Sequence, residues 1–196
     1  MKQNQTPPVR AIAYVALFAA IFVVLSAVTI PLGFTPVPIS LQTLAILLTG
    51  AMIGGGYAFL SIGIVLVLTL LGFPLLHGAG GLSFILGPTG GFIWMFPISA
   101  FVTGRLVSRI QGNGPFSVVL MAAAMIVGSG LVYLTGVPWY AHLAGISLGK
   151  AFALVCVPFI PGDLIKVGAA VLITATVRKL NLLPRLSAQD QVVPLD

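Results

Sequence analysis

The sequence contains no glutamate, three aspartates and a single cysteine in 196 residues. Charged residues make up 6% of it, against about 25% in an ordinary soluble domain. Between residues 11 and 104 there is no Asp, Glu, Lys or Arg. So few charges cannot cover a water-facing surface, which excludes an ordinary cytosolic enzyme. A hydrophobic content of 59% excludes a disordered chain. The lone Cys156 excludes an intramolecular disulfide and a thiolate metal cluster. His77 and His142 stand outside any HExxH or ExxH spacing, and no metal site is expected. The apolar runs are continuous, without the ~10-residue alternating strands of a transmembrane barrel.

What is present is long apolar sequence, with a mean hydropathy of +1.16. One α-helical span needs roughly 20 apolar residues, so the length accommodates about six. The chain reads as an all-α integral membrane protein. Its membrane domain covers 10–182, with cytoplasmic tails at 1–9 and 183–196. Pro and Gly punctuate the runs. Helices are expected at about 10–30, 39–53, 57–72, 91–110, 116–135 and 162–182. Pro31-Leu-Gly-Phe-Thr-Pro-Val-Pro38 is too Pro-rich to be helical. A Gly-dense loop runs from 73 to 90. A third long connection, 136–161, contains Pro138, Trp139 and Tyr140. As one helix, 146–182 would measure about 54 Å, too long for a bilayer core of about 30 Å. Pro158 and Pro161 are expected to break it, leaving 146–157 as a short interfacial or re-entrant helix. Lys2 and Arg10 imitate the start of a signal peptide, but the apolar run that follows outlasts a typical h-region of about 7–15 residues.

The nine basic residues sit at the edges of apolar runs and form no polar face, which argues for lipid and against nucleic acid. Lys2 and Arg10, Arg105 and Arg109, and Arg178, Lys179 and Arg185 form three groups. Six transmembrane helices place all three in the cytoplasm, whereas seven would send the last group outside. Both termini are then cytoplasmic in the inner membrane, and every long loop faces outward. Loops on a rigid scaffold are where binding concentrates.

Asp163 is the only acidic residue before the C-terminal tail. It shares a helix face with Lys166 at i, i+3. Counted back from Arg178 it lies about 22 Å up the last helix, where each charge costs about 2.5–3.5 kcal/mol. Two readings stand side by side. Asp163 is a helix cap satisfying free N–H groups, or the pair is a ligand clamp. A carboxylate accepts N–H bonds and an ammonium donates to a carbonyl oxygen, which together suit a cyclic urea or amide. His77-Gly-Ala-Gly-Gly81 and Gly87-Pro-Thr-Gly-Gly91 either present N–H groups to a carboxylate or are plain loops. His77 itself reads as a loop residue rather than a ligand.

Ala13, Ala16 and Ala20 recur at helical spacing, either for internal packing or to dock a partner membrane protein. Ala124 and Gly128 read as internal packing. Trp94, Trp139 and Tyr140 read as interface-belt aromatics, the last two within reach of a ligand. Gly145-Ile-Ser-Leu-Gly-Lys150-Ala151 has the outline of a phosphate-binding loop but is one residue short and lacks the Ser or Thr for magnesium. Gly145-Ile-Ser147-Leu-Gly149 matches G-x-S-x-G without the strand-to-helix elbow that a serine hydrolase needs. An intramembrane hydrolase using Ser147 is the alternative function from a different class.

Thr35-Pro-Val-Pro-Ile-Ser-Leu-Gln-Thr43, Gly87-Pro-Thr-Gly-Gly91 and Pro158-Phe-Ile-Pro-Gly-Asp-Leu-Ile-Lys166 together resemble the biotin-specific BioY family. Its members are substrate-binding S components of energy-coupling-factor (ECF) transporters. The resemblance runs from about residue 10 to 182. It implies an S-component bundle that captures biotin from outside and is not an enzyme. It also implies a transmembrane coupling subunit and two ATPase subunits as partners. ATP is then used by those subunits, and this chain carries no cofactor. Asp163 and Lys166 would hold the ureido ring. Loop 31–38 would close over the site, and the Gly-rich loop would meet the valerate carboxylate. The binding set implied in this way is Asp163, Lys166, Gly78, Gly80, Gly81, Pro38, Gln42 and Thr89. The Ala13, Ala16 and Ala20 face would dock the coupling subunit. A different vitamin as ligand and a homo-oligomeric state both stay open.

Overall fold

The computed structural model of the chain describes residues 9–112 and 114–180. Lys2, Arg185 and nearly all of both expected tails lie outside the described residues. The elements in chain order are α1 (Val9–Ser26), β1 (Thr29–Leu32), β2 (Thr35–Ser40), α2 (Gln42–Ile53), α3 (Gly55–Leu70), α4 (Leu82–Ile85), α5 (Gly90–Ser108), α6 (Pro115–Ala144), α7 (Leu148–Val155), a 3₁₀ turn (Val157–Phe159) and α8 (Ile160–Lys179). Helix dominates, as the continuous apolar runs require. Three of these helices, α1, α5 and α6, and the run Leu148–Lys179 are long and apolar enough to cross a membrane. At 12 and 16 residues, α2 and α3 are shorter.

The structure departs from expectation in two places that matter for the site. The first helix stops at Ser26, not 30. The single hydroxyl hydrogen of Ser26 is shared between Val23 O at 2.7 Å and Leu75 O at 2.9 Å, anchoring the chain as it leaves the helix. The Pro-rich segment is then an antiparallel hairpin rather than an irregular loop, pairing Thr29 with Ser40, Ile30 with Ile39 and Leu32 with Thr35. Pro36 and Pro38 are tolerated because a two-stranded ribbon has only edges. Thr35 and Val37 turn inward and Pro36 outward, the period-two alternation of a strand lying on a core.

The second departure is α6. Its expected end near 135 is overrun by nine residues, and Pro138 lies inside the helix. The supposed connection 136–161 is therefore nearly all helical. Trp139 and Tyr140 belong to no outer loop. Trp139 Nε1 donates to Gly87 O at 2.9 Å, and Tyr140 is buried. α6 ends at Gly145, whose φ of +64° is the left-handed conformation that stops a helix. Ser147 then caps α7, its hydroxyl accepting from the Lys150 amide at 3.5 Å. The G-x-S-x-G match is thus a helix stop followed by a helix start. Among the described residues the only strands are β1 and β2, so the hydrolase elbow has no strand to stand on.

α5 is the central helix, packing most extensively on α6, α3 and α2. Close approach there depends on Gly104: a Cβ would overlap the Gly55 amide nitrogen. Side-chain hydroxyls tie the helices across buried contacts. Ser61 donates to Val15 O at 2.9 Å, and Ser99 to Gly128 O at 2.7 Å. Ala124 and Gly128 are buried inside the bundle, as their spacing predicts. At the ends of α5 and α8, Arg178 donates to Val107 O at 2.8 Å and Ile110 O at 3.1 Å. A cation thereby meets carbonyls at the C-terminal end of a helix, where the macrodipole is negative.

Candidate functional site

Four parts of the chain converge on one cavity: the hairpin with the start of α2, the loop before α4, the α5–α6 pair, and the α7–α8 junction. Pro161 sits in the first turn of α8, where its missing N–H has no intrahelical role. That places Asp163 and Lys166 in the first two turns, facing inward. The cavity is open at its mouth, and the empty space counted with that mouth is about 510 Å³. Its walls are mostly apolar, with Phe92, Ile93, Phe96, Val132, Val155 and Phe159 among them.

The polar groups are few and closely placed. Lys166 Nζ donates to Asp163 Oδ1 at 3.0 Å, and both residues are 7% exposed. Tyr133 Oη donates to Asp163 Oδ2 at 2.5 Å. Among the described residues the other two N–H groups of Lys166 meet no protein acceptor. Ser40 Oγ donates to Gln42 Oε1 at 3.1 Å, which orients that amide. Gln42 Nε2 is buried and meets no partner among the described residues, and the same holds for His77 Nε2. Buried polar atoms are ordinarily satisfied. Two orphans lining one cavity therefore mark places where a ligand would complete the hydrogen bonding. The arrangement offers an ionic acceptor, an ionic donor and an amide donor around an apolar chamber.

Asp163 makes no cap bond to the N-terminus of α8, although its place in the first turn suits the helix macrodipole. Pro38, Gln42, Thr89, Asp163 and Lys166 all line the cavity. Gly78, Gly80 and Gly81 are not among the residues that line it, although their neighbour His77 is. A Cβ on Gly80 would overlap Phe73 O, and one on Gly91 would overlap Trp139. Close packing therefore accounts for these two glycines. His77 has φ +55°, and its ring meets Phe84 edge-on at 6.3 Å. Burial holds its imidazole below the usual pKa, so it is neutral at pH 7. The sequence reads His77 as a loop residue rather than a ligand and does not single out Tyr133, yet both line the cavity. A histidine in a glycine-rich loop carries no motif, and a tyrosine in a long apolar run looks like packing. Ala13, Ala16 and Ala20 are all exposed on α1, so internal packing does not account for them.

Comparison with known proteins gives a consistent result. The family model described as the BioY family matches residues 1–182. The biotin transporter BioY of Rhizobium etli is 41% identical over 184 residues, covering 89% of this chain and 97% of the relative. The probable biotin transporter BioY of Pyrococcus horikoshii is 37% identical over 165 residues, covering 84% and 93%. A crystal structure of the S component for biotin from an ECF-type ABC transporter superposes with a TM-score of 0.77. That protein is 31% identical, with 91% of this chain and 95% of the other covered.

Two outcomes follow from the site's electrostatics. Lys166→Met strands a buried carboxylate and is expected to destabilise the unliganded protein by about 3–5 kcal/mol. Asp163→Asn combined with Lys166→Met recovers most of that loss in thermal unfolding. A single variant as stable as the wild type would refute the pairing. For His77, the unfolded imidazole titrates near 6.5 and the folded one lower. The unfolded state then binds more protons as pH falls below about 6.5, and stability declines. His77→Asn is expected to flatten that acid limb; a limb unchanged in unfolding midpoint against pH would show that His77 does not cause it.

Proposed function

The chain belongs to the BioY family, and on that premise we propose that its cavity is the biotin site of an ECF transporter S component. The protein takes up biotin and is not an enzyme. The observation that carries the site assignment is the Asp163–Lys166 pair held at 3.0 Å within an apolar chamber. A cyclic urea presents N–H donors beside a carbonyl acceptor, which match a carboxylate and an ammonium one helical turn apart. The aromatic walls suit the sulfur ring. Gln42 Nε2 and His77 Nε2, without a partner among the described residues, stand ready for the remaining polar groups, and the hairpin carrying Pro38 forms part of the wall.

We also propose the finer arrangement. Six spans, with α2 and α3 counted as short ones, place both termini in the cytoplasm. Support comes from Arg178, whose bonds to Val107 and Ile110 bring the basic ends of α5 and α8 together. Arg105, Arg109, Arg178 and Lys179 then mark one positive face. The exposed Ala13, Ala16 and Ala20 stripe of α1 docks the transmembrane coupling subunit. Two ATPase subunits supply the energy from the cytoplasmic side of the inner membrane.

Calorimetry of the purified protein with biotin is expected to show tight binding. Asp163→Asn and Lys166→Ala each weaken it by about 2–5 kcal/mol, roughly thirtyfold or more. No heat from the wild type, or full affinity in both variants, would defeat the assignment. Ala16→Leu tests the docking face. It is expected to leave biotin affinity unchanged while abolishing co-purification with the coupling subunit and cellular uptake. Intact uptake in that variant would remove α1 from the interface.

A further inference from the structure

Asp163 stands between two openings. On one side is the ligand cavity. On the other is an open, largely apolar groove among α6, α7 and α8, with an empty volume of about 700 Å³ counted with its open side, walled by Ile126, Phe152, Ile160 and Leu164. Tyr133 and Asp163 line both, whereas Lys166 lines only the cavity. A carboxylate at such a boundary has two directions to turn. Lys166 holds Oδ1 from within the same helix. Oδ2 is held from a different helix, by the Tyr133 hydroxyl.

Resting on the reading of Asp163 as the acceptor for the ligand's N–H groups, we propose that Tyr133 is a positioning residue for capture. Its hydroxyl fixes the Asp163 carboxylate toward the ligand cavity and away from the apolar groove among α6, α7 and α8.

The tyrosine is itself firmly placed. Its ring meets Phe92 edge-on at 5.9 Å and 90°. Phe92 in turn lies against Gly136, where a Cβ would overlap its ring. The same stretch of α6 is tied to the start of α5 by Thr135 Oγ1 donating to Gly91 O at 2.6 Å and by Trp139 Nε1 donating to Gly87 O at 2.9 Å. The hydroxyl is thus set by α5 as well as α6. A carboxylate offers about four lone-pair sites. With one taken on each oxygen, both oxygens keep acceptor capacity for a pair of ligand N–H groups. A charge oriented beforehand spares the ligand the ordering cost on binding.

The test uses the full chain in detergent, with biotin calorimetry and infrared spectra of protein labelled with ¹³C-aspartate. Three aspartates and no glutamate keep the carboxylate region sparse, and Asp163→Asn identifies the Asp163 band by its loss. Tyr133→Phe is expected to raise the biotin Kd about tenfold or more and to shift the Asp163 band in the unliganded protein. Weaker binding with an unshifted band would mean that the hydroxyl meets the ligand directly, and would overturn the proposal. Unchanged affinity would overturn it as well. If Tyr133→Phe does not fold, Phe92→Leu, which removes the ring that stops Tyr133, must shift the same band; an unmoved band refutes the positioning role. Failure of the wild type to bind biotin would defeat the assigned ligand instead, while a band shift in Tyr133→Phe would still report the orientation of the carboxylate.

Discussion

A carboxylate and an ammonium enclosed in an apolar bundle constrain everything around them. Each ion loses its hydration on burial, and their mutual attraction offsets that loss only when the geometry is good and the remaining hydrogen-bonding capacity is used. Here the attraction is supplied at 3.0 Å by residues one turn apart, and the additional bond by Tyr133. The pair keeps unused capacity on the cavity side. In the proposed function that residual capacity is what receives the ligand: a stretch of membrane protein carrying ions that are stabilised but not saturated.

The rest of the fold can be understood as what holds that condition in place. Pro161 starts α8 so that Asp163 falls in its first turn. The length of α6 brings Tyr133, Thr135 and Trp139 to the same level as the start of α5. Small residues allow this closeness, since a side chain on Gly91 or Gly136 would strike Trp139 or Phe92. The hairpin delivers Val37, Pro38 and Ser40 to the cavity, and Ser40 orients Gln42. At the opposite end Arg178 secures α8 to α5, so the helix bearing the ion pair is held near both ends.

Much of this was legible before any coordinates. The absence of charge between residues 11 and 104 already requires a lipid environment, because burial in membrane is the one setting where such a stretch is stable. Asp163 and Lys166 stand out because isolated charges in that setting are rare. Pro and Gly marked most helix ends. Local signals misled where a distant contact decided. Pro138 suggested a break, yet α6 continues through it, with Trp139 bonded to Gly87 on a segment 52 residues away. Pro36 and Pro38 excluded helix correctly but gave no sign of the strand pairing, which depends on the partner segment 29–32. In the Gly-rich loop the residue that lines the cavity is His77, which no spacing marks out.

The amino-acid sequence alone determined the solvent, the helical class and the identity of the two ions. These follow from hydrophobicity and spacing, which are properties of a residue and its near neighbours. The folded structure alone decided which way those ions face, that a tyrosine 30 residues earlier holds one of them, and that Gln42 Nε2 and His77 Nε2, on residues lining the same cavity, meet no partner among the described residues. Orientation and satisfaction of a polar group are set by atoms that arrive from other helices, and no local pattern encodes where those atoms will be.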